Sequence, residues 1–238
     1  MVDYNSNRIT QKMRLYKLDK TIIVVTNNPT KLLFGITTNT LDQPKNAFLD
    51  IYGKIIATFE QRQISQDKII IVMERKFLDM LINHLDKYLG LAKAKIEILD
   101  YNVYYNLDND YEVIEGEFII PQKNGQIIIT KKQIPNQISE QDFTFFRLHN
   151  NIPIHGIDYN NEMILNVSEE FVSYTKGCYL GQEIISRVHN LGKPPKKLTV
   201  KHCDECNTYE GKNMTSKCKD ENGRMFGFIF VATQPLQL

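Results

Sequence analysis

Apolar residues in this chain gather into short runs broken by polar turns, and few stretches carry helical spacing. Ile22-Ile23-Val24-Val25 is unbroken apolar sequence, the mark of a strand buried on both faces. Asn28-Pro29 then marks a helix start, with Pro29 at the first helical position, where its missing N–H is not needed. Residues 45–60 read as two strands around a turn at Tyr52-Gly53, and Lys68–Met73 as another strand. Phe77, Leu78, Leu81, Ile82, Leu85 and Leu89 recur at helical spacing, and Gly90 is placed to end that helix. Phe118–Ile120 and Ile127–Ile129 flank Asn124-Gly125, a hairpin signal with a loop longer than two residues. A helix from about Ser139 to Asn150 carries Phe143, Phe146 and Arg147. Beyond Gly192-Lys193-Pro194-Pro195 the pattern changes to short strands, Lys197–Lys201 and Met225–Ala232, around a polar stretch with cysteines. So many strands with so few helices predict an α+β fold rather than a doubly wound parallel sheet.

Composition narrows the function without naming it. The 238 residues are 42% hydrophobic, enough to bury a sizeable core in one large domain or two small ones. Twenty-nine basic against 28 acidic residues give a net charge of +1, so no global field draws the chain to nucleic acid or membrane. No apolar run has the length of a membrane span, and Met1–Arg8 lacks the apolar core of a secretory signal. Four cysteines without such a signal predict free thiols in a reducing, cytoplasmic setting.

The densest chemistry lies in Lys176-Gly177-Cys178-Tyr179-Leu180-Gly181-Gln182-Glu183, followed by Ile184-Ile185-Ser186-Arg187. It reads as a cysteine in a glycine-bracketed turn at the start of a helix, with Lys176 two residues before it. Positive charge and unpaired helix amides favour a thiolate, the reactive form of the thiol. Cys178 is therefore the candidate functional thiol, with Lys176, Gln182 and Glu183 as its candidate partners. Glu183 and Arg187 also have the spacing of an ordinary helical ion pair. The other cysteines, Cys203, Cys206 and Cys218, lie in the tail beside His202; they are weak candidates for a metal, because their spacing matches no standard finger.

The cysteine block resembles the signature of the YgfZ-type iron–sulfur cluster assembly factors, relatives of the folate-dependent T protein of the glycine cleavage system. Further segments agree in order. Leu32-Leu33-Phe34-Gly35-Ile36-Thr37-Thr38-Asn39 is similar to the family's early segment, and Ala47-Phe48-Leu49-Asp50-Ile51-Tyr52-Gly53-Lys54-Ile55-Ile56 to its strand pair. Phe146-Arg147-Leu148 with Ile152-Pro153-Ile154-His155-Gly156 resembles its arginine segment, and Val172-Ser173-Tyr174-Thr175 leads into the block. The resemblance covers roughly residues 20 to 198.

This resemblance implies two intertwined α+β lobes around a central cavity over residues 1–192, and a C-terminal β-barrel reduced to a few strands over residues 193–238. It implies tetrahydrofolate or a derivative as ligand, with Asn39, Asp50 and Arg147 as candidate contacts, and a transient iron–sulfur cluster at Cys178. A single cysteine holds no stable cluster, so partners would complete the ligand set. The expected function is support of cluster assembly, delivery or repair on client enzymes, tRNA-modifying ones among them, with assembly proteins as further partners. The alternative is a folate-dependent aminomethyltransferase or other one-carbon transferase. Against it, the T protein's catalytic acid corresponds to Ala57 and Thr58, which cannot take up a proton. Its later glutamate falls at His149, and it has no cysteine at the place of Cys178. The expectation therefore leans away from an enzyme.

Overall fold

The computed structural model describes residues 13–206 and 208–233, so the Met1–Arg8 stretch lies outside the described residues. The chain opens with β1 (Leu15–Leu18) and β2 (Lys20–Thr26), then α1 (Pro29–Phe34), β3 (Lys45–Leu49), β4 (Ile55–Ser65) and β5 (Lys68–Glu74). After α2 (Leu78–Ala92) come β6 (Lys95–Leu99), β7 (Asn102–Asn106), β8 (Phe118–Pro121), β9 (Gln126–Thr130) and α3 (Glu140–His149). Two short helices follow, α4 (Ile164–Val167) and α5 (Gln182–Asn190). The tail holds β10 (Lys196–His202), α6 (Thr208–Asn213), β11 (Thr215–Lys219) and β12 (Met225–Ala232). These strands form three sheets: five strands in the order β3-β4-β5-β2-β6, four in the order β1-β7-β9-β8, and three in the order β10-β12-β11. Every pairing in them is antiparallel. The fold is thus mixed α and β without a doubly wound sheet.

The continuous apolar runs are explained by burial on both faces. Along β2 and β5, Ile23, Val25, Ile69, Ile71 and Met73 face a core shared with α1 and α2. The alternate residues Ile22, Val24, Ile70 and Val72 face a second core shared with Val103, Ile127 and Ile129 of the four-stranded sheet. Period-two alternation places each set on its own side. Leu81 and Leu85 anchor α2 to the first core and are fully buried. The helix runs two residues past Gly90 and ends where Lys93 takes the left-handed conformation, φ 57°. The sequence stop signal was therefore early, since a lysine serves as the terminating residue. For α3 the stop and start agree with the sequence, because Ser139 and Asp142 form a reciprocal capping box.

Among the described residues the tail is an open three-stranded sheet rather than a closed barrel, and it holds a short helix and a 3₁₀ turn at Cys203–Glu205 between its strands. Leu198, Phe226 and Phe228 pack into one cluster with Leu148, Ile164, Tyr179 and Ile185. Hydrophobic burial of this kind joins the tail to the preceding residues through a shared core. No helix among the described residues is long and apolar enough to cross a membrane.

Candidate functional site

Two places concentrate chemistry, and they are built from different elements. The first is the loop before α5. Gly181 is the N-cap of α5, so Cys178 precedes the helix by three further residues rather than sitting in its first turn. Gly181 adopts φ +82°, and a Cβ there would lie 2.6 Å from the Asp50 carbonyl oxygen. Only glycine meets both demands. The turn between β3 and β4 thereby docks on the N-terminus of α5, with Gly53 against Ile184 and Ile185. The loop is also clasped by residues 35–38: Leu180 N–H donates to Gly35 O at 3.1 Å, and Ser173 N–H to Thr38 O at 3.0 Å.

The candidate partners of the thiol are occupied in holding this loop. Lys176 is buried, its ammonium donating to the carbonyl and hydroxyl of Thr37. It lies 5.2 Å from the Phe34 ring centroid and 5.6 Å from that of Tyr179. Burial lowers its pKa to about 8. Gln182 reaches back to the Lys176 carbonyl at 3.4 Å, and Glu183 pairs with Arg187 in an exposed helical ion pair. Cys178 itself is exposed. One residue before it, Gly177 is packed by Phe34, itself 46% exposed, and the turn docked on Gly181 presents Ile51 and Tyr52 at 63% and 68% exposure. An accessible thiol thus stands beside apolar surface, a setting that fits contact with another macromolecule.

The second place is a cleft between the five- and four-stranded sheets, closed by α3 and by residues 151–155 and 167–171. Its walls are apolar at Leu18, Ile127, Phe143, Ile152 and Phe171. Four charges on the five-stranded sheet line it: Lys20 on β2, Lys45 on β3, Glu60 on β4 and Glu74 on β5. Lys20 lies opposite Glu74 in the strand register and binds Glu60 at 2.8 Å and Glu74 at 3.1 Å. Burial opposes the Lys20 charge, but the two carboxylates outweigh it and raise its pKa. Burial and the nearby Glu60 charge raise the Glu74 pKa against the pull of Lys20. Thr58, on the same face of β4, shares a 2.8 Å hydrogen bond with the Tyr159 hydroxyl. His155 is stacked between Phe77, 3.8 Å centroid to centroid, and Tyr159, 5.1 Å. Burial, then the charges of Lys76 and Lys20, lower its pKa to about 3, so it is neutral.

Of the folate candidates drawn from sequence, Arg147 alone lines the cleft. It is buried and already committed: Nη1 donates to Asp158 at 2.8 Å and Nη2 to Ser216 at 2.8 Å. Asn39 and Asp50 do not line this cleft. The Asn39 amide donates to the carbonyls of Lys45 and Glu170, both at 3.0 Å, and so holds the 167–171 wall from behind. Asp50 accepts from the amides of Tyr52 and Lys54 at 2.8 and 2.9 Å, an ordinary turn cap. Ala57 is packed in the α1–α2 core, and Thr58 is the cleft-facing member of that pair.

The charged trio of Lys20, Glu60 and Glu74 is absent from the sequence reading. Its signal lay in the period-two frame: Lys20 shares a face with Ile22 and Val24, and Glu74 with Val72. A further feature appears only in three dimensions. Among the described residues, five buried side-chain atoms have no hydrogen-bond partner, and three of them, Gln122 Nε2, Arg147 Nε and His155 Nδ1, are on cleft residues. Buried polar atoms left unpaired are costly, so their clustering marks a place built for a polar ligand.

The tail cysteines do not converge. Cys203 contacts Met214 Sδ at 3.4 Å, Cys206 donates to the His202 carbonyl at 3.2 Å, and Cys218 lies 3.8 Å from the Lys219 carbonyl. His202 is turned to Asp220 at 3.1 Å. Among the described residues no group of three or more His, Cys, Asp or Glu is arranged to hold a metal.

No family model matches the chain. Over 166 residues it is 25% identical to the mitochondrial iron-sulfur cluster assembly factor IBA57 homolog of Dictyostelium discoideum, covering 56% of this chain and 40% of that protein. Over 120 residues it is 28% identical to the tRNA-modifying protein YgfZ of Colwellia psychrerythraea, covering 49% of this chain and 37% of that protein. The matched region thus spans less than half the length of either relative. Among solved structures, the aminomethyltransferase T of the glycine cleavage system from Bartonella henselae superposes with a TM-score of 0.65. That match covers 92% of this chain and 78% of the other at 11% identity, a likeness of fold.

Proposed function

Because this chain belongs to the YgfZ/IBA57-type family with a T-protein-like fold, we propose that it is a folate-binding accessory protein for the assembly, delivery or repair of iron–sulfur clusters. The observation that carries the folate half is the cleft, with apolar walls, the paired carboxylates of Glu60 and Glu74, and unpaired nitrogens on Gln122, Arg147 and His155. A pterin ring presents an N–H and NH₂ edge that Glu60 or Glu74 can accept, a planar body for the apolar walls, and carbonyl and carboxylate oxygens for the unpaired donors. Lys20 keeps the two carboxylates together and orients them. Bound folate would supply one-carbon or redox chemistry, and the residues around it bind, orient and exclude water.

The cluster half rests on Cys178. It is exposed, outside the cleft, and flanked by apolar residues, so a client or assembly protein can reach it. The cluster is cargo in this reading, with Cys178 supplying one ligand and the partner the others. Residues 1–192 would form the folate-binding lobes around the cleft, and residues 193–238 a reduced remnant of the barrel. Clients of the tRNA-modifying class are proposed from the name of the Colwellia relative. A cytoplasmic location is likewise a proposal, beside a Dictyostelium relative named as mitochondrial.

Calorimetric titration with tetrahydrofolate and 5-formyltetrahydrofolate tests the folate half. Binding is expected, and Glu60→Gln, which keeps the shape but weakens the acceptor, should lower affinity roughly tenfold, about 1.4 kcal/mol. No heat with any folate, in protein shown to be folded, would remove this reading. The carboxylates of Glu60 and Glu74 favour a second reading, a one-carbon transferase, since they stand close to Thr58 on the cleft wall. Incubation with aminomethylated carrier and tetrahydrofolate should give no methylenetetrahydrofolate, because Lys20 engages both carboxylates. Turnover would establish the transferase instead.

A further inference from the structure

Arg147 belongs to two surfaces at once. It lines the cleft, and it also lines an outer groove between α3 and β11 together with Ser216, Cys218 and Met225. Behind it lies a closed polar network. Asp158 accepts from Arg147 Nη1 and from the Ile154 amide through one oxygen, both at 2.8 Å. Its other oxygen accepts from the hydroxyls of Thr215 and Ser216. Ser216 in turn accepts from Arg147 Nη2 at 2.8 Å. Both charged side chains are almost wholly buried, 4% and 0% exposed. Ser216 holds φ +49°, a left-handed conformation unusual for serine, where the β11–β12 register shifts. Such a backbone persists only where its surroundings hold it, and here the holders are Arg147 and Asp158. The one guanidinium nitrogen left without a partner is Nε, and it is buried.

Resting on the folate reading of the cleft, we infer that the C-terminal sheet is part of the ligand site. Ser216 and Asp158 are positioning residues: they fix the Arg147 side chain so that Nε donates to a carbonyl or carboxylate oxygen of the bound ligand. No existing bond has to break for this, because Nε is free while Nη1 and Nη2 serve the network. Ligand binding therefore completes the arginine's hydrogen bonding and tightens the seat of β11. By linkage, loosening β11 weakens the ligand to the same degree. The short tail thus keeps a contact that reaches the cleft, although it forms no closed barrel.

The test is amide hydrogen exchange on the full chain, with and without 5-formyltetrahydrofolate, together with titration of wild type, Ser216→Gly and Arg147→Lys. Ser216→Gly relieves the positive φ while deleting the bridging hydroxyl, so a merely structural role would leave binding unchanged. Expected are ligand-induced protection of residues 215–219 in wild type and a roughly tenfold weaker affinity in Ser216→Gly at an unchanged melting temperature. Arg147→Lys, which lacks Nε, should bind weakly and show faster exchange at 215–219 even without ligand. Wild type that binds the folate with unchanged exchange at 215–219, or Ser216→Gly that binds as tightly as wild type, overturns the inference and leaves the folate reading standing. Wild type that binds no folate overturns both.

Discussion

At the scale of single residues, burial lowers the pKa of both Lys176 and His155, and each gives a signed prediction. The Lys176 ammonium is buried, which lowers its folded pKa to about 8 from an ordinary 10.5. Between those values the unfolded chain binds the proton and the folded one releases it, so stability rises with pH across that window. It is lost again as pH falls through about 8. Urea midpoints measured from pH 8 to 10 should therefore climb in wild type, by on the order of 2 kcal/mol at most, and stay flatter in Lys176→Met. Lys20 acts in the opposite sense, but only above its unfolded value of 10.5, because its folded pKa is raised. An identical slope in both proteins would mean that the ammonium is not desolvated. His155 is neutral when folded, with a pKa near 3 against 6.5 when unfolded. Its contribution is present above 6.5 and declines as pH falls toward 3. His155→Phe keeps the stack on Phe77 and Tyr159 and should reduce the loss of melting temperature between pH 6.5 and 5; an unchanged loss would assign it to other groups.

At the scale of elements, the docking of the β3–β4 turn on α5 depends on one glycine. Gly181→Ala forces a Cβ into the Asp50 carbonyl at positive φ, and should cost about 2 kcal/mol or more, read from denaturant midpoints. Gly35→Ala is its control, since nothing lies within 4 Å of a Cβ there and φ is −85°; its effect should stay within about 0.5 kcal/mol. Equal losses in the two would show that the turn is not seated on Gly181. Elements with an unbroken apolar run, a turn signal or a helical period were legible in the sequence: β2, β5, the hairpin of β8 and β9, and α2 and α3. Others were not. β1 (LYKL), β6 (KIEIL) and β7 (NVYYN) are short and mix polar with apolar residues, and the brief alternation of Lys95-Ile96-Glu97-Ile98 in β6 is too short to mark a strand by itself. Their assignment comes from pairing with distant partners, Leu15 with Asn106 and Ile96 with Val25, which no local pattern encodes.

At the scale of the whole molecule, cleft and thiol are separate but joined by one segment. Residues 167–171 line the cleft, residues 173–180 carry Cys178, and Thr37, Thr38 and Asn39 clasp both. The glycine spacing made the thiol loop legible in the sequence. The cleft was not, because Lys20, Glu60 and Glu74 each look like an ordinary charge on a strand. Only the register of β2, β4 and β5 brings them within hydrogen-bond reach. Arg147 was found by resemblance, but its tie to Asp158 and Ser216 depends on the tail folding back onto α3. An exposed thiol beside apolar surface has little structural work to do, so its removal isolates function from folding. The decisive comparison is the activity of a cluster-dependent enzyme in cells lacking this protein, supplied with wild type or Cys178→Ser. Both proteins should fold with the same melting temperature and bind folate alike, while wild type alone restores the client's cluster content and activity. Full restoration by Cys178→Ser would contradict the role given to the thiol and reduce the loop to a structural turn.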